Sequence, residues 1–500
     1  MTDDRLAYQF GPLERRGLLG QLRAGQAATV AAGGAAAIVA LDREPTAAGA
    51  FLAALLVGGC LLVAFAPLGR RTGEEWAPVA LLFALRLVRG RLHFRSRAPA
   101  NGMTASEPAK RQKRLLRHPR PDPPEPLRAV RIIDAPYRDG PIGVLRETRR
   151  LTAVIACRVI AFSLLDPEAQ ERRLARWGLI LSGAAGGPVR RIQWIERTAP
   201  AQGDELARWL HDERDPAVPL RGTPMIESYL ELIGSTTRAA QEHEVLIAVQ
   251  IDPRRVADRG NEPAVRALIE QTERVAEGLE AAEVTVVGAL SAGQLARALR
   301  TAFDPYARAE LTGLEATEPD RDGLAEVNAW PLGAREHWEH YGSDGAVHAT
   351  FWIGGWPRVE VSPMFMEALL GRSSVVRTVA VTFEPIAPDR STRDAEAAVT
   401  RDHADRELRH RFGQAETARQ RQAQDAAVRR EAELAAGHAE VRLAGFVTVS
   451  GRDREDLRRA CAEIHEQAAR ARLELHRMYG QQAEAFAFTL PLCRGLRGGR

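Results

Sequence analysis

The sequence predicts an α+β protein carrying a transmembrane helical hairpin at its N-terminus, and three observations predict it. Ala24 to Leu41 and Ala47 to Leu68 are apolar segments broken only by Asp42-Arg43-Glu44-Pro45-Thr46. From about residue 128 onward, short runs rich in β-branched and aromatic residues alternate with stretches of amphipathic helical spacing. Late in the chain, Asp389 to Ala436 is a charged segment with no Pro and no Gly except Gly413. Read together, these give a membrane hairpin followed by cytoplasmic mixed α/β lobes that bear a long charged helical arm.

The hairpin comes first. Ala47 to Leu68 holds 22 residues without a charge, close to the roughly 20 that a helix needs to cross about 30 Å of hydrocarbon. Ala24 to Leu41 is built largely of Ala and Gly, which are weakly lipophilic, so its insertion leans on its partner. Gly33, Gly34, Gly49, Gly58 and Gly59 would let the two backbones approach closely. A buried hairpin of a soluble core would show a polar face on each helix, and neither segment does. A cleaved signal peptide would not be followed five residues later by a second long apolar stretch. Arg5, Arg15, Arg16 and Arg23 precede the hairpin and Arg70 and Arg71 follow it, so the positive-inside rule places both termini in the cytoplasm of a multi-pass membrane protein.

Glu74 to Phe94 has an apolar run too short to cross, followed by arginines, and predicts an interfacial helix with Trp76 near the head groups; a third span using Arg86 near its end is the alternative. Arg86 to Arg120 holds eleven Lys or Arg against one acid, Glu107, although the whole chain carries a formal charge of only +4. Arg86, Arg89, Arg91, Arg95, Lys110, Arg111, Lys113 and Arg114 are therefore the candidate contacts for a membrane surface or another anionic partner. DNA is the rival partner, but Phe94 is the sole aromatic there for base stacking. Residues 96–127 read as a basic, Pro-rich linker. The domain plan is then a membrane domain to residue 95, the linker, α+β lobes over 128–388, the arm over 389–436, and a closing α/β segment over 437–500.

Strand candidates in that region are Ala153–Phe162, Arg191–Ile195, Val245–Ile251, Val284–Val287, Ala349–Ile353, Val375–Phe383, Ala444–Val449 and Ala485–Leu490. Helical spacing covers Asp166–Leu181, Pro263–Ala282, Ala292–Ala302 and Glu455–Leu473. The arm has i,i+4 ion pairs such as Asp402/Arg406, Glu407/Arg411 and Asp425/Arg429, with apolar residues too sparse for a zipper. No internal repeat is legible in the sequence.

Several chemistries are excluded by composition. The only two lysines are Lys110 and Lys113, so the folded region has neither a P-loop lysine nor a Schiff-base lysine. Cys60, Cys157, Cys461 and Cys493 are scattered, without zinc-ligand spacing or a disulfide framework. His337 and His340 form an H-x-x-H pattern, not the i,i+4 pair of a zinc protease, and read as a surface loop or a partly buried helix end; His403 and His410 fall on the arm's solvated face. Ser182 and Ser291 lack the G-x-S-x-G elbow. Gly354-Gly355 reads as a turn ending a strand. No catalytic, cofactor or metal residue is assigned, and the chain is expected not to be an enzyme.

Two stretches resemble known families. Tyr8 to about Ser96, beginning YQFGPLERRGLLGQLRAGQ and running through the hairpin to Trp76 and the basic tail, resembles the PrgI family, small two-span membrane proteins of Gram-positive conjugative type IV secretion systems. Arg149 to Gly495 is similar to the N-terminal, non-catalytic part of conjugative transfer ATPases of the VirB/TraC type. That similarity rests on HATFWIGGWPRVEVSPMFMEALL, VRTVAVTFEPI, the charged arm, AGFVTVSG and AEAFAFTLPLCRG, in which Thr489-Leu490-Pro491-Leu492 stands where the family's ATPase domain would begin. The resemblance implies a membrane-anchored assembly component that docks a separately encoded P-loop ATPase beside polytopic channel subunits, and an oligomer is expected. The alternative is a membrane-tethered enzyme or ligand sensor whose site is dispersed over the α/β lobes. A DNA-contacting factor of the same machine, using Arg86 to Arg120, is a third possibility.

Overall fold

The computed structural model describes residues 24–68, 71–96, 121–137, 140–158, 162–200, 241–258, 260–307, 329–357, 360–371, 373–397 and 439–496, with a few helical residues at 224–225, 228, 400, 428–430 and 432–434. Lys110, Arg111, Lys113, Arg114, His403, His410 and the middle of the arm lie outside the described residues. The chain divides into two compact units, one within residues 12–92 and the other from His93 onward.

In the first unit the apolar runs become helices α1 (Ala24–Arg43) and α2 (Ala47–Phe65), and the segment after them becomes α3 (Gly73–Val88). Thr46 starts α2 by accepting the Gly49 N–H at 3.4 Å. Glu75 closes the start of α3 by accepting the Thr72 N–H at 3.3 Å. A two-residue ladder, Pro67–Leu68 with Arg71–Thr72, joins α2 to α3.

The second unit is organised by one antiparallel sheet of 13 strands. In chain order these are β1 (His93–Arg95), β2 (Val130–Ala135), β3 (Ile142–Glu147), β4 (Arg150–Arg158), β5 (Val189–Pro200), β6 (Gln241–Ile251) and β7 (Thr285–Ala289), then β8 (Gly333–Glu336), β9 (Tyr341–Ser343), β10 (Ala346–Gly355), β11 (Val376–Pro385), β12 (Val441–Gly451) and β13 (Glu474–Arg477). The helices are α4 (Pro167–Gly183), α5 (Asn261–Ala281), α6 (Ala292–Phe303), α7 (Glu367–Leu370), α8 (Arg454–Arg470) and α9 (Gln482–Ala487). The sheet runs β1-β8-β9-β10-β12-β11-β5-β6-β4-β3-β2, with β13 also pairing β10 and β7 also pairing β4.

That order contains a duplication invisible in the sequence. Each half is a hairpin into a long strand, a helix, a second long strand, an insertion, a third long strand, a helix, and a short strand that returns to the first long strand. The first half is β3-β4-α4-β5-β6-α5-β7-α6 and the second is β9-β10-α7-β11-β12-α8-β13-α9. They join where β5 and β11 pair antiparallel, Ala380 opposite Ile195, which is the local geometry of a two-fold axis perpendicular to the sheet. The two α/β lobes expected from the sequence therefore share one sheet.

The alternation along each strand sorts the cores by face. Leu151, Ala153 and Ile155 of β4 pack with Val249 and Ile247 of β6 beneath α4 and α5, and Val379, Val447 and Val449 pack beneath α7 and α8; Trp194 touches both clusters. The opposite face, with Val154, Leu246, Ile195 and Ala380, is covered by α6, α9 and the C-terminal segment. Leu268, Leu299 and Ile464 are fully buried, each contributing roughly 1.5–3 kcal/mol by removal from water.

Most of the expected strands and helices are present, and one is corrected. Ala485–Leu490 forms the end of α9 and a turn, not a strand. Its Ala/Phe alternation imitates a period of two, but Ala483, Ala485, Phe486 and Ala487 are all buried, so the short helix shows no polar face by which to be recognised. His337 and His340 lie in the β8–β9 hairpin turn and not at a helix end. Gly354 and Gly355 finish β10 at a bulge, where a Cβ on Gly354 would strike the His476 ring.

Candidate functional sites: membrane anchor, cationic turn and C-terminal strap

Gly25–Arg43 within α1 (mean hydropathy 1.2) and α2 (mean hydropathy 2.4) are long and apolar enough to cross a membrane, the second more strongly, as its composition predicts. Small residues set their separation: a Cβ on Gly33 would come within 2.7 Å of Cys60 Cβ. A buried polar bond ties the pair, Gln26 Nε2 donating to Ala64 O at 3.1 Å. Outward-facing positions are apolar, including Ile38, Val39, Phe51, Leu55 and Leu62. Such a surface is stable in lipid and costly in water.

Helix α3 has 16 residues, about 24 Å of rise, short of the hydrocarbon thickness. Leu81, Leu82, Leu85 and Val88 are exposed along it. Arg86 lies in its last turn with its guanidinium over the Phe83 ring at 5.9 Å, and Arg89 caps its C-terminus, where positive charge suits the helix dipole. Arg91 follows, its N–H donating to Arg86 O at 2.9 Å. Arg95 belongs to the other unit, in edge strand β1 opposite Gly333. Of the eight basic candidates, Arg86, Arg89 and Arg91 thus stand together in the first unit, and Arg95 belongs to the second.

A second cationic group was not anticipated. In the β8–β9 turn His337 N–H donates to His340 O at 2.8 Å, and the two rings stack with centroids 4.3 Å apart and 17° between planes. Burial foremost, then Arg335, Arg454 and His93, holds His337 below the usual imidazole range. Burial, then His337, Arg454, Arg477 and Arg335, lowers His340 to about 4. Among the described residues no cluster of His, Cys, Asp and Glu could hold a metal ion.

The run Thr489-Leu490-Pro491-Leu492 belongs to a strap, residues 488–496, laid across the centre of the sheet. Arg191 donates to Cys493 O at 3.1 Å and Leu496 O at 3.0 Å while pairing with Glu384 at 3.0 Å. Gln193 donates to Phe488 O and accepts the Cys493 N–H, both at 2.8 Å. Gln250 donates to Leu492 O at 3.0 Å and Thr382 to Arg494 O at 3.0 Å; Thr448 bonds Thr489 at 2.9 Å. Arg494 reaches Glu147 at 2.7 Å. Both halves of the duplication hold the strap, and its apolar residues Leu490 and Leu492 are fully buried. Burial pushes the Cys493 thiol up and keeps it unreactive. Gln193, Gln250 and Thr382 give no motif signal; isolated polar residues in apolar strand runs were the only hint.

His348, also fully buried, joins the halves. Its Nδ1 meets Ser450 Oγ at 2.8 Å, and its Nε2 meets Ser343 Oγ at 2.9 Å and Phe303 O at 3.1 Å. Burial lowers it to about 4, so the ring is neutral, and a proton on Nε2 with Ser450 donating to Nδ1 satisfies it. Nearby, a polar cleft of about 240 Å³ is lined by Tyr306, Ser374, Ser450, Asp456, Arg459 and Glu463.

The fold and the anchor define a class: a large antiparallel α/β sheet protein with an apolar helical hairpin ahead of it, consistent with a membrane protein. Residues 239–353, less than a quarter of the chain, match the family described as "Putative type VII ESX secretion system translocon, EccE". The matched stretch runs from β6 to β10 and so bridges the two halves. It supports a membrane component of a secretion system, as the resemblances in the sequence implied, but it points to type VII and supports neither the PrgI resemblance nor type IV conjugation and DNA transfer. No curated protein matches the chain.

Proposed function

We propose that this protein is a membrane-anchored, non-enzymatic assembly component of a type VII-like secretion system, spanning the cytoplasmic membrane twice with both termini inside. The single observation that carries this reading is the match over residues 239–353 in a chain that also bears an apolar hairpin. Type VII is preferred to type IV because the match falls on a type VII family. The sheet unit serves as a docking platform for a P-loop ATPase; residues 128–500 hold no lysine and so do not themselves form a P-loop. Affinity purification of the tagged full chain from solubilised membranes should recover other membrane subunits of a secretion complex together with a P-loop ATPase. Recovery of the chain alone, as a homogeneous species, would overturn the assignment.

The polar cleft beside Tyr306 favours a second reading, a membrane-tethered ligand sensor or enzyme. Saturable binding of a small metabolite that is lost in Glu463→Gln, without any protein partner, would support it.

A further inference from the structure

Several arginines of the sheet unit lie against acids. Arg191 pairs with Glu384, Arg197 with Glu244, Arg190 with Asp252, Arg300 with Asp344 and Arg494 with Glu147. Among the described residues Arg335, Arg454 and Arg477 have no carboxylate partner; Arg477 instead lies over the rings of Phe351 at 5.5 Å and Tyr479 at 5.9 Å. His93 stands opposite Arg335 in the β1–β8 ladder, on the strand face that also carries His337 two residues on.

The acids around the turn are engaged elsewhere or open to solvent. Glu336 points inward and accepts the Ala483 N–H at 3.2 Å, and Glu474 sits beside His476 at 3.8 Å. At the start of α8, Asp453 accepts the N–H groups of Glu455 and Asp456 at 2.9 and 2.8 Å, while Asp456 pairs with Arg459 at 3.5 Å. Glu339, on the turn itself, and Glu455 are exposed. Two stacked imidazoles are therefore surrounded by positive charge, with no carboxylate in contact with Arg335, Arg454 or Arg477 among the described residues, an arrangement that favours a bound anion.

We propose that His337 and His340, framed by Arg335, Arg454, Arg477 and His93, form a binding site for a phosphate-class anion, with the imidazoles taking up protons as it binds. Arginine supplies planar forked donors suited to phosphate oxygens, and stacked imidazoles add N–H donors once charged. Two sources share this chemistry, a lipid headgroup and a soluble phosphate. His93 follows directly on the last residue of the anchor unit, so the site begins where the chain leaves that unit. The proposal is independent of the secretion assignment.

The test reads the imidazoles directly. The full chain is reconstituted in phosphatidylcholine nanodiscs, and the C2–H exchange of each histidine is followed against pH by mass spectrometry in three arms: no addition, millimolar inorganic phosphate, and phosphatidylglycerol in the bilayer. The half-exchange points of His337 and His340 should rise by about one unit or more, a tenfold gain in proton affinity, in at least one ligand arm, while buried His348 stays fixed. A rise with phosphatidylglycerol alone assigns the headgroup, and a rise with free phosphate alone assigns a soluble ligand. Arg335→Gln/Arg454→Gln, both at exposed positions, should raise the ligand-free values and abolish the ligand-induced rise. Unmoved half-exchange points in both ligand arms would overturn the proposal, as would a rise that persists undiminished in the double variant.

Discussion

Single side chains in this protein do their work by being buried and satisfied, and His348 shows the consequence. Its ring is lowered to about 4 by burial, against an unfolded value near 6.5. Below about pH 6.5 the unfolded chain binds the proton that the folded chain refuses, so stability is complete above that pH and falls as pH drops toward 4, by roughly 3 kcal/mol at most. The thermal midpoint of the solubilised full chain should therefore fall between about pH 7 and pH 5. His348→Asn should be less stable at neutral pH, through lost bonds to Ser450 and Phe303, but lose less on acidification. An identical pH slope in the variant would refute the assignment. The neighbouring residues explain why sequence reading missed this site: Ser343, His348 and Ser450 are separated by up to about a hundred positions, and only the β9–β10–β12 pairing unites them.

At the scale of elements, the sequence was most legible where periodicity was unopposed. The hairpin, α4, α5, α6 and α8, and the long strands β4, β5, β6, β10, β11 and β12 all follow hydrophobic runs of the right period. Strands with charges in them, such as Val130–Ala135 (VRIIDA) and Glu474–Arg477 (ELHR), were hidden because edge positions release one face to solvent. The hairpin gives the sharpest element-scale prediction. Gly33 faces Cys60 so closely that Gly33→Leu must push α1 from α2; the protein recovered in carbonate-washed membranes should drop several-fold, and Cys60→Gly should restore part of it. Equal membrane levels for Gly33→Leu and wild type would show that close packing there is unnecessary.

For the whole molecule, the duplication is the feature that the sequence concealed. Its halves differ in most element lengths, a 17-residue α4 answering a four-residue α7, so no alignable repeat survives although the topology does. Three core clusters lie wholly within the unit beginning at His93, although they include partly buried neighbours from across the sheet. Residues 93–500 expressed alone should thus enter the soluble fraction and melt cooperatively, whereas the full chain should sediment with membranes. A truncated product that precipitates or exposes the Trp194 region to solvent would show that the sheet depends on the anchor.

The strap carries a consequence for biosynthesis. Residues 488–496 are held by side chains from β5 and β6 in one half and β11 and β12 in the other. Arg191, Gln193 and Gln250 precede their strap partners Cys493, Phe488 and Leu492 by 242 to 302 residues, so until the strap emerges from the ribosome these side chains lack those partners. Under the membrane-anchored reading proposed above, helices α1 and α2 enter the bilayer before the strap is made, so insertion precedes closure of the sheet and a nascent chain stalled before Phe488 is tethered yet unfinished, a natural client for chaperones.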